Sequence, residues 1–411
     1  MPRFLAFRSV QYMDLLGRTN AAGIKLRRRL AVSLLSSPKI KVVDLFAGAG
    51  GFSLAAVQAG AEVVFAVEFD HNAAATYTKN IAKKGRSKDV VVYNDDITSL
   101  SASDLAERHF PKGKTCSVLL GGPPCQGFSS HRINGAGIAD PRNALIHEYF
   151  KFVAELRPRA FLMENVPGML WPRHRSYVEQ FYGHAHAHKY TVFEPVKLDA
   201  RDYGTPQRRQ RVFILGLRQD VDATDFVWPP APTHSSSDED IAAGMKPWVP
   251  CTSAFEPAPA DDPNDIHMNH GPELTAAFAS TPPNGGSRSE SGRRLQCHVN
   301  HDGHSDVYGR IDSSAPAPTM TTACINPSKG RFVHPTLDHG ITARQAARVQ
   351  TFPDDFVFEG GLMAAGRQIG NAVPIMLGEI LIRHIQVLLS SEQNADRTDK
   401  GNIAQIMRAA E

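Results

Sequence analysis

The chain has 411 residues, with 45 Lys and Arg against 42 Asp and Glu, 42% hydrophobic and 21% charged residues. That is the composition of an ordinary globular protein with a sizeable core, long enough for one large domain plus a second. Five scattered cysteines without a C-x-x-C pair argue against a disulfide framework or a zinc ribbon, and favour a reducing cytoplasm.

The net charge of +3 conceals a basic start. Residues 1–43 hold nine Lys or Arg against Asp14 alone, a balance of +8, which leaves the remainder near −5. The start reads as a solvated extension, an arm on an acidic polymer or an organelle-targeting segment, and it lacks a secretory apolar core. No uncharged apolar run before the final stretch reaches membrane-spanning length. "IMLGEILIRHIQVLLSS" carries Glu379, Arg383 and His384, which suits an amphipathic helix, so no membrane role is expected.

In chain order, "KIKVVDLF" predicts a buried strand, followed by the glycine turn "AGAGG" and a helix "FSLAAVQAG". "EVVFAVEFD" predicts a second strand ending in acids, "HNAAATYTKNIAKKG" a helix, and "VVVYNDDI" a third strand ending in Asp95 and Asp96. "CSVLLGG" is a fourth strand that runs into Pro123, Pro124 and Cys125. "NALIHEYFKFVAEL" predicts a helix, and "RAFLMENV" a fifth strand ending in Glu164. The alternation predicts an α/β, parallel, doubly wound sheet.

Ligands of such sheets bind at the carboxyl ends of the strands, where the glycine turn, Glu68, Asp96, Cys125 and Glu164 all fall. From 219 to about 335 the alternation gives way to Pro, Ser, Gly and Asn. Residues 219–270 hold ten acids against Lys246 alone, and the arginines lie in the second half. "TARQAARVQ" and "NAVPIMLGEILIRHIQVLL" return to helix, and a polar tail follows. The boundaries are a basic extension 1–40, a catalytic and cofactor-binding domain 41–218, a target-recognition region 219–335, a return to the first domain at 336–391, and a tail 392–411.

"DLFAGAGG" with Glu68 is a dinucleotide-type fingerprint lacking its third glycine, since Gly48 and Gly50 are followed by Ser53. A diphosphate needs the full glycine set; an adenosine ligand without phosphate needs only close backbone approach and the ribose acid. Cys125 reads as a buried thiol, as a metal ligand short of partners, or as a nucleophile aimed by two prolines. Glu164, behind four apolar residues, reads as a helix-capping acid, an arginine partner or a half-desolvated proton donor. "QRRQRVFIL" places Arg209 and Arg211 on one strand face and Arg208 and Gln210 on the other. The histidines of "GHAHAHKY" alternate as on a strand or loop. Neither they nor "CHVNHDGH" has zinc-finger spacing, so no metal is expected.

Together these motifs resemble the DNA cytosine-5 methyltransferase family of bacterial restriction-modification type. The resemblance spans about 41–390: "DLFAGAGGFSLA", "GGPPCQGFS", "MENV", "QRRQRVFILG", "TARQAARVQTFPDDF" and "GNAVP" stand in the family's order. "YGRIDSSAPAPTMTT" is similar to the segment ending in the family's Thr-Leu or Thr-Ile pair, here Thr319-Met320. The resemblance implies a Rossmann-like sheet with an inserted, irregular target-recognition domain. It implies S-adenosylmethionine held by Phe46, Gly48, Gly50, Glu68, Asp96, Pro124, Leu145, Asn371 and Val373. Cys125 would be the nucleophile, Glu164 would act at N3 of the cytosine, and Arg209 and Arg211 would orient the base. Ser129, Arg288, Arg310 and Thr319 would meet the DNA.

The implied partners are double-stranded DNA and a restriction endonuclease of the same site, acting with a monomer in the bacterial cytoplasm. The tRNA-methylating branch of the family is the nearest rival; its Cys-Phe-Thr signature before the closing motifs is absent. A non-catalytic DNA-binding regulator is disfavoured by the presence of Cys125, Glu164 and the arginines. A nicotinamide-dependent oxidoreductase is disfavoured by the missing third glycine.

Overall fold

Apolar runs make the first five strands, four of them largely buried and the third, at the sheet edge, partly exposed. In β1 (Lys41–Leu45) Val42 enters one apolar layer, while Val43 and Leu45 enter the other. The computed structural model describes residues 39–87, 89–112, 115–123, 144–291 and 306–390. After β1 come α1 (Gly51–Gln58), β2 (Glu62–Val67), α2 (His71–Tyr77) and a π turn at Thr78–Ala82. The alternation continues through β3 (Val91–Tyr93), α3 (Ala102–His109), β4 (Val118–Gly121), α4 (Ala144–Leu156) and β5 (Ala160–Asn165). It closes with α5 (Arg175–Ala187), β6 (Tyr190–Val192), β7 (Val196–Asp199) and β8 (Gln210–Arg218).

The sheet order is β3-β2-β1-β4-β5-β8-β6, with β7 also paired to β8. Strands β1 to β5 are parallel, as expected, and order reverses between β1 and β4, the place where open α/β sheets bind ligands. β8 departs from the all-parallel expectation: it runs antiparallel to β5, β6 and β7. The link from Asp199 to Gln210 is too short for the crossover that a parallel strand needs. Its reversal carries the "QRRQR" segment back to the edge where β5 ends, since Asn165 pairs with Val212.

Both faces of the sheet are covered. α4 and α5 supply Phe150, Val153 and Phe181 to one layer, while α1 and the C-terminal helices supply Leu54, Ile382 and Leu389 to the other. The first five residues of "GHAHAHKY", with His184 and His186, are corrected from strand or loop to the end of α5, because Tyr177, Phe181 and Ala185 recur every four residues on its buried side. His184 there stacks on Phe150 at 5.4 Å. "CHVNHDGH" lies outside the described residues.

Residues 219–291 and 306–335 contain only short elements. They include β9 (His234–Ser235), α6 (Asp238–Ala242), β10 (Lys246–Pro247) and α7 (Pro272–Ser280), with β9 and β10 paired as a two-stranded ribbon. Regular helix resumes at α8 (Ala343–Val349), started by a reciprocal capping box between Thr342 and Gln345. α9 (Gly361–Asn371) and α10 (375–390) are separated by a break at 372–374, where Pro374 cannot continue the ladder.

Candidate active site

The glycine turn leaves β1 in left-handed backbone: Phe46, Gly48 and Gly50 have φ of 57°, 56° and 92°. A Cβ at Gly48 would meet no atom within 4 Å, so the turn opens onto free space. Its shape is fixed from β2. Glu68 Oε2 accepts from the Gly48 amide at 2.8 Å and Oε1 from the Asp70 amide at 2.7 Å. Burial holds the Glu68 carboxyl above the usual carboxylate range, against the pull of these amides. Phe69, next to it, is 73% exposed, a large flat ring left in solvent. The sequence reading missed it, since an aromatic residue in an apolar run signals core.

Asp96, three residues beyond β3, caps a 3-10 turn: its Oδ1 accepts from the Thr98 amide and hydroxyl at 2.9 and 2.8 Å. Its other oxygen has no partner among the described residues. At the far side of the glycine turn, the Gly51 α-carbon abuts the 372–373 turn, where an added Cβ would meet Ala372 Cβ and the Val373 carbonyl, both at 3.2 Å. Val373 is buried there and Asn371 is exposed beside it. Leu145, on the first turn of α4, packs against the second apolar layer. The structure thus brings Phe46, Gly48, Gly50 and Glu68 into one turn, with Val373 against it. Pro124, Cys125 and Ser129 lie outside the described residues.

The turn rests on a buried chain that the sequence reading did not foresee. Tyr77 donates to Ser53 Oγ, and Ser53 donates to Asp44 Oδ2, each at 2.7 Å. Ser53 stands where the dinucleotide fingerprint has its third glycine. Burial lifts the Asp44 carboxyl to about 7, with Ser53 pulling the other way.

Glu164 is the penultimate residue of β5, its carboxyl buried against Gly122, where a Cβ would come within 3.4 Å of Oε2. Arg211 Nε stands 2.8 Å from Glu164 Oε1 as an ion pair, without the alignment of a hydrogen bond. Desolvation raises the Glu164 carboxyl above the usual range; Arg211 and Arg209 oppose it. Asn165 donates to the Pro123 carbonyl at 3.4 Å, which ties this strand end to the turn two residues before Cys125.

Arg209, expected at the base, is fully buried. It donates to the Met320, Gly370 and Ala372 carbonyls at 2.7 to 2.9 Å. Gln207 adds to this staple by donating to Gln350 Oε1 and accepting from the Met320 amide, both at 2.8 Å. These long-range bonds join "QRRQR", Thr319-Met320, α8 and α9, and no local pattern announces them.

Of the residues expected at DNA, Thr319 donates its hydroxyl to the Arg208 carbonyl at 2.5 Å. Arg288 is half-buried in a 3-10 turn at Arg288–Ser291. Arg310 corrects the expectation of a DNA contact. It is 2% exposed and donates to the Phe278, Thr281, His334 and Leu337 carbonyls and to Asp338. Its charge organises the region from within.

The profile of C-5 cytosine-specific DNA methylases matches residues 40–387. The chain is similar to the Type II methyltransferase M.NgoFVII of Neisseria gonorrhoeae, 33% identical over 82% of this chain and 84% of that protein. It is similar also to M.Eco47II of Escherichia coli, 32% identical over 84% of this chain and 78% of the relative. Among solved structures, an Escherichia coli prophage-encoded DNA modification methyltransferase superposes with a TM-score of 0.63 at 24% identity, over 85% of this chain and 99% of the other. The Dnmt2 of Spodoptera frugiperda superposes at 0.55 and 17% identity, over 85% and 100%. Fold, motif order and family profile agree, and the chain belongs to the C-5 cytosine-specific DNA methylases.

Proposed function

We propose that this DNA methylase modifies one short double-stranded sequence. Cys125 adds to C6 of a flipped cytosine, Glu164 serves N3, and S-adenosylmethionine is the methyl donor. The observation that carries the reading is the buried Glu164, paired with Arg211 and seated against Gly122 of the "GGPPC" turn. A carboxyl lifted by burial retains a proton nearer neutrality, and the arginine holds it in place.

The residues fit the adenosyl cofactor. The opening at Gly48 admits a ligand against bare backbone, Glu68 presents a carboxylate beside it for ribose hydroxyls, and Phe69 offers a flat ring for the adenine. Asp96 keeps an acceptor for the adenine amino group. Leu145, Pro124, Asn371 and Val373 complete the surround. When bound, S-adenosylmethionine supplies an electrophilic methyl group.

C5 of cytosine is too weak a nucleophile to take that methyl unaided. Addition of the Cys125 thiolate to C6 saturates the C5–C6 bond, while a proton from Glu164 to N3 neutralises the charge that would build on the ring. The resulting enamine attacks from C5. A base then removes the C5 proton, the thiolate leaves C6, and the N3 proton returns to Glu164. The ring must leave the base stack to meet the thiol face-on, at a cost of a few kcal/mol. Arg209 acts as a positioning residue through the strand that carries Arg211. Thr319, Arg288 and Ser129 are assigned to the DNA side. A monomer in a bacterial cytoplasm, paired with an endonuclease of the same sequence, is the corresponding setting.

Bisulfite sequencing of DNA and RNA from a host free of cytosine methylation tests this, with the intact chain and Cys125→Ser expressed separately. Methylcytosine at one short DNA sequence, lost in the mutant, is the expected result. Signal confined to tRNA would overturn the substrate, and signal surviving in the mutant would overturn the nucleophile.

A further inference from the structure

The three arginines of "QRRQR" have three different fates. Arg209 is spent on backbone carbonyls and Arg211 on Glu164. Arg208 is exposed, and among the described residues its guanidinium has no hydrogen bond or ion pair; its backbone is held by the Ala317 carbonyl and the Thr319 hydroxyl. An arginine anchored by its backbone and extended into solvent three residues from the arginine that holds Glu164 is placed for a ligand outside the protein.

A second feature shares that edge. β5 and β8 pair through Asn165 and Val212, so the segment leaving β5 and the segment entering β8 emerge together. The segment leaving β5 makes a 3-10 turn at Pro167–Leu170 and exposes Leu170 (40%) and Trp171 (37%). Arg173 lies over the Trp171 ring at 4.5 Å, its Nε donating to His174 Nε2 at 3.0 Å. Arg175 nearby is engaged by Glu179. A guanidinium stacked on a half-exposed indole offers a cation for phosphate and an apolar face for deoxyribose.

We propose that Arg208 and the Trp171–Arg173 pair grip the DNA backbone on the rim that carries Glu164, as sequence-independent phosphate contacts. The partner is the duplex whose cytosine is methylated, and the inference rests on the DNA-methylase reading. Neither arginine touches the reacting atoms. Their contribution is to hold the strand while the base is out of the stack.

The test uses the full chain, with Arg208→Ala, Arg173→Ala and Arg208→Lys, and a random-sequence duplex titrated at a series of salt concentrations. Each alanine variant should make the slope of log affinity against log salt shallower by about 0.9, an affinity loss of about eightfold at 0.1 M salt. Binding of S-adenosylhomocysteine, the melting temperature and the methylated sequence should stay as in the parent, and Arg208→Lys should restore the slope. Unchanged slopes in both alanine variants would overturn the proposal. So would a changed target sequence, which would mark a base contact, or a collapsed melting temperature, which would mark a structural role. A parent chain that binds no duplex and transfers no methyl would overturn the underlying reading instead, so the two failures are distinguishable.

Discussion

Glu164 is buried, and its partner Arg211, whose guanidinium also donates to the Gln210 carbonyl, is partly exposed. The pairing opposes the desolvation that raises the carboxyl, so the proton-donating form is set by a balance between two neighbours. In the proposed role of an acid toward N3, Glu164 would be active when protonated, and the rate should fall as pH rises through its elevated pKa. Glu164→Gln should lower kcat by about 100- to 10,000-fold and remove that limb of the pH profile. Steady-state kinetics across pH checks both, with DNA saturating so that binding does not intrude.

At the scale of elements, β1, α1 and α2 meet under the glycine turn through Asp44, Ser53 and Tyr77. The carboxyl of Asp44 titrates near 3.8 when solvated and at about 7 in the fold. A group raised on folding contributes stability that is full below its unfolded pKa and is lost as pH climbs through the folded one. This aspartate should therefore make the protein progressively less stable between about pH 4 and pH 7. Asp44→Asn keeps the shape and the acceptor but removes the titration, so its melting temperature should vary less with pH across that window. Parallel thermal melts of both proteins read the difference.

The same elements show what a sequence can display. β1 to β5 were legible because strands covered on both faces read as unbroken apolar runs, and their ends gave the positions of Glu68, Asp96 and Glu164. α9 was not legible. It begins at a left-handed Gly360 and contains Gly366 and Gly370, residues of low helix propensity. These glycines are needed because the helix lies hard against Ile325 and the Thr321 backbone. Arg209 and Arg310 carry charges that suggest DNA in a linear reading, yet both are used inside the protein, each collecting carbonyls from segments distant in sequence.

Across the whole molecule, the stretch between β8 and α8 has few regular elements and is organised by internal cations. Arg310 closes on Leu337 and Asp338, so a graft of a relative's recognition segment should run from 271 to 338 instead of stopping at 335. Such a chimera should methylate the donor's sequence at the parent's turnover, which sequencing of methylated sites and a rate at saturating DNA establish together. An unchanged target would place sequence recognition elsewhere in the chain.

The Arg209 guanidinium has a bearing on how such enzymes diversify. It fastens Met320 to the strand from which the intervening chain departs, 111 residues earlier. A loop pinned at both feet can grow cheaply, because each doubling of its length adds only about 0.6 kcal/mol of closure entropy. Beyond β8 the intervening chain can therefore be lengthened, shortened or replaced up to Met320 while the sheet beneath it keeps its place.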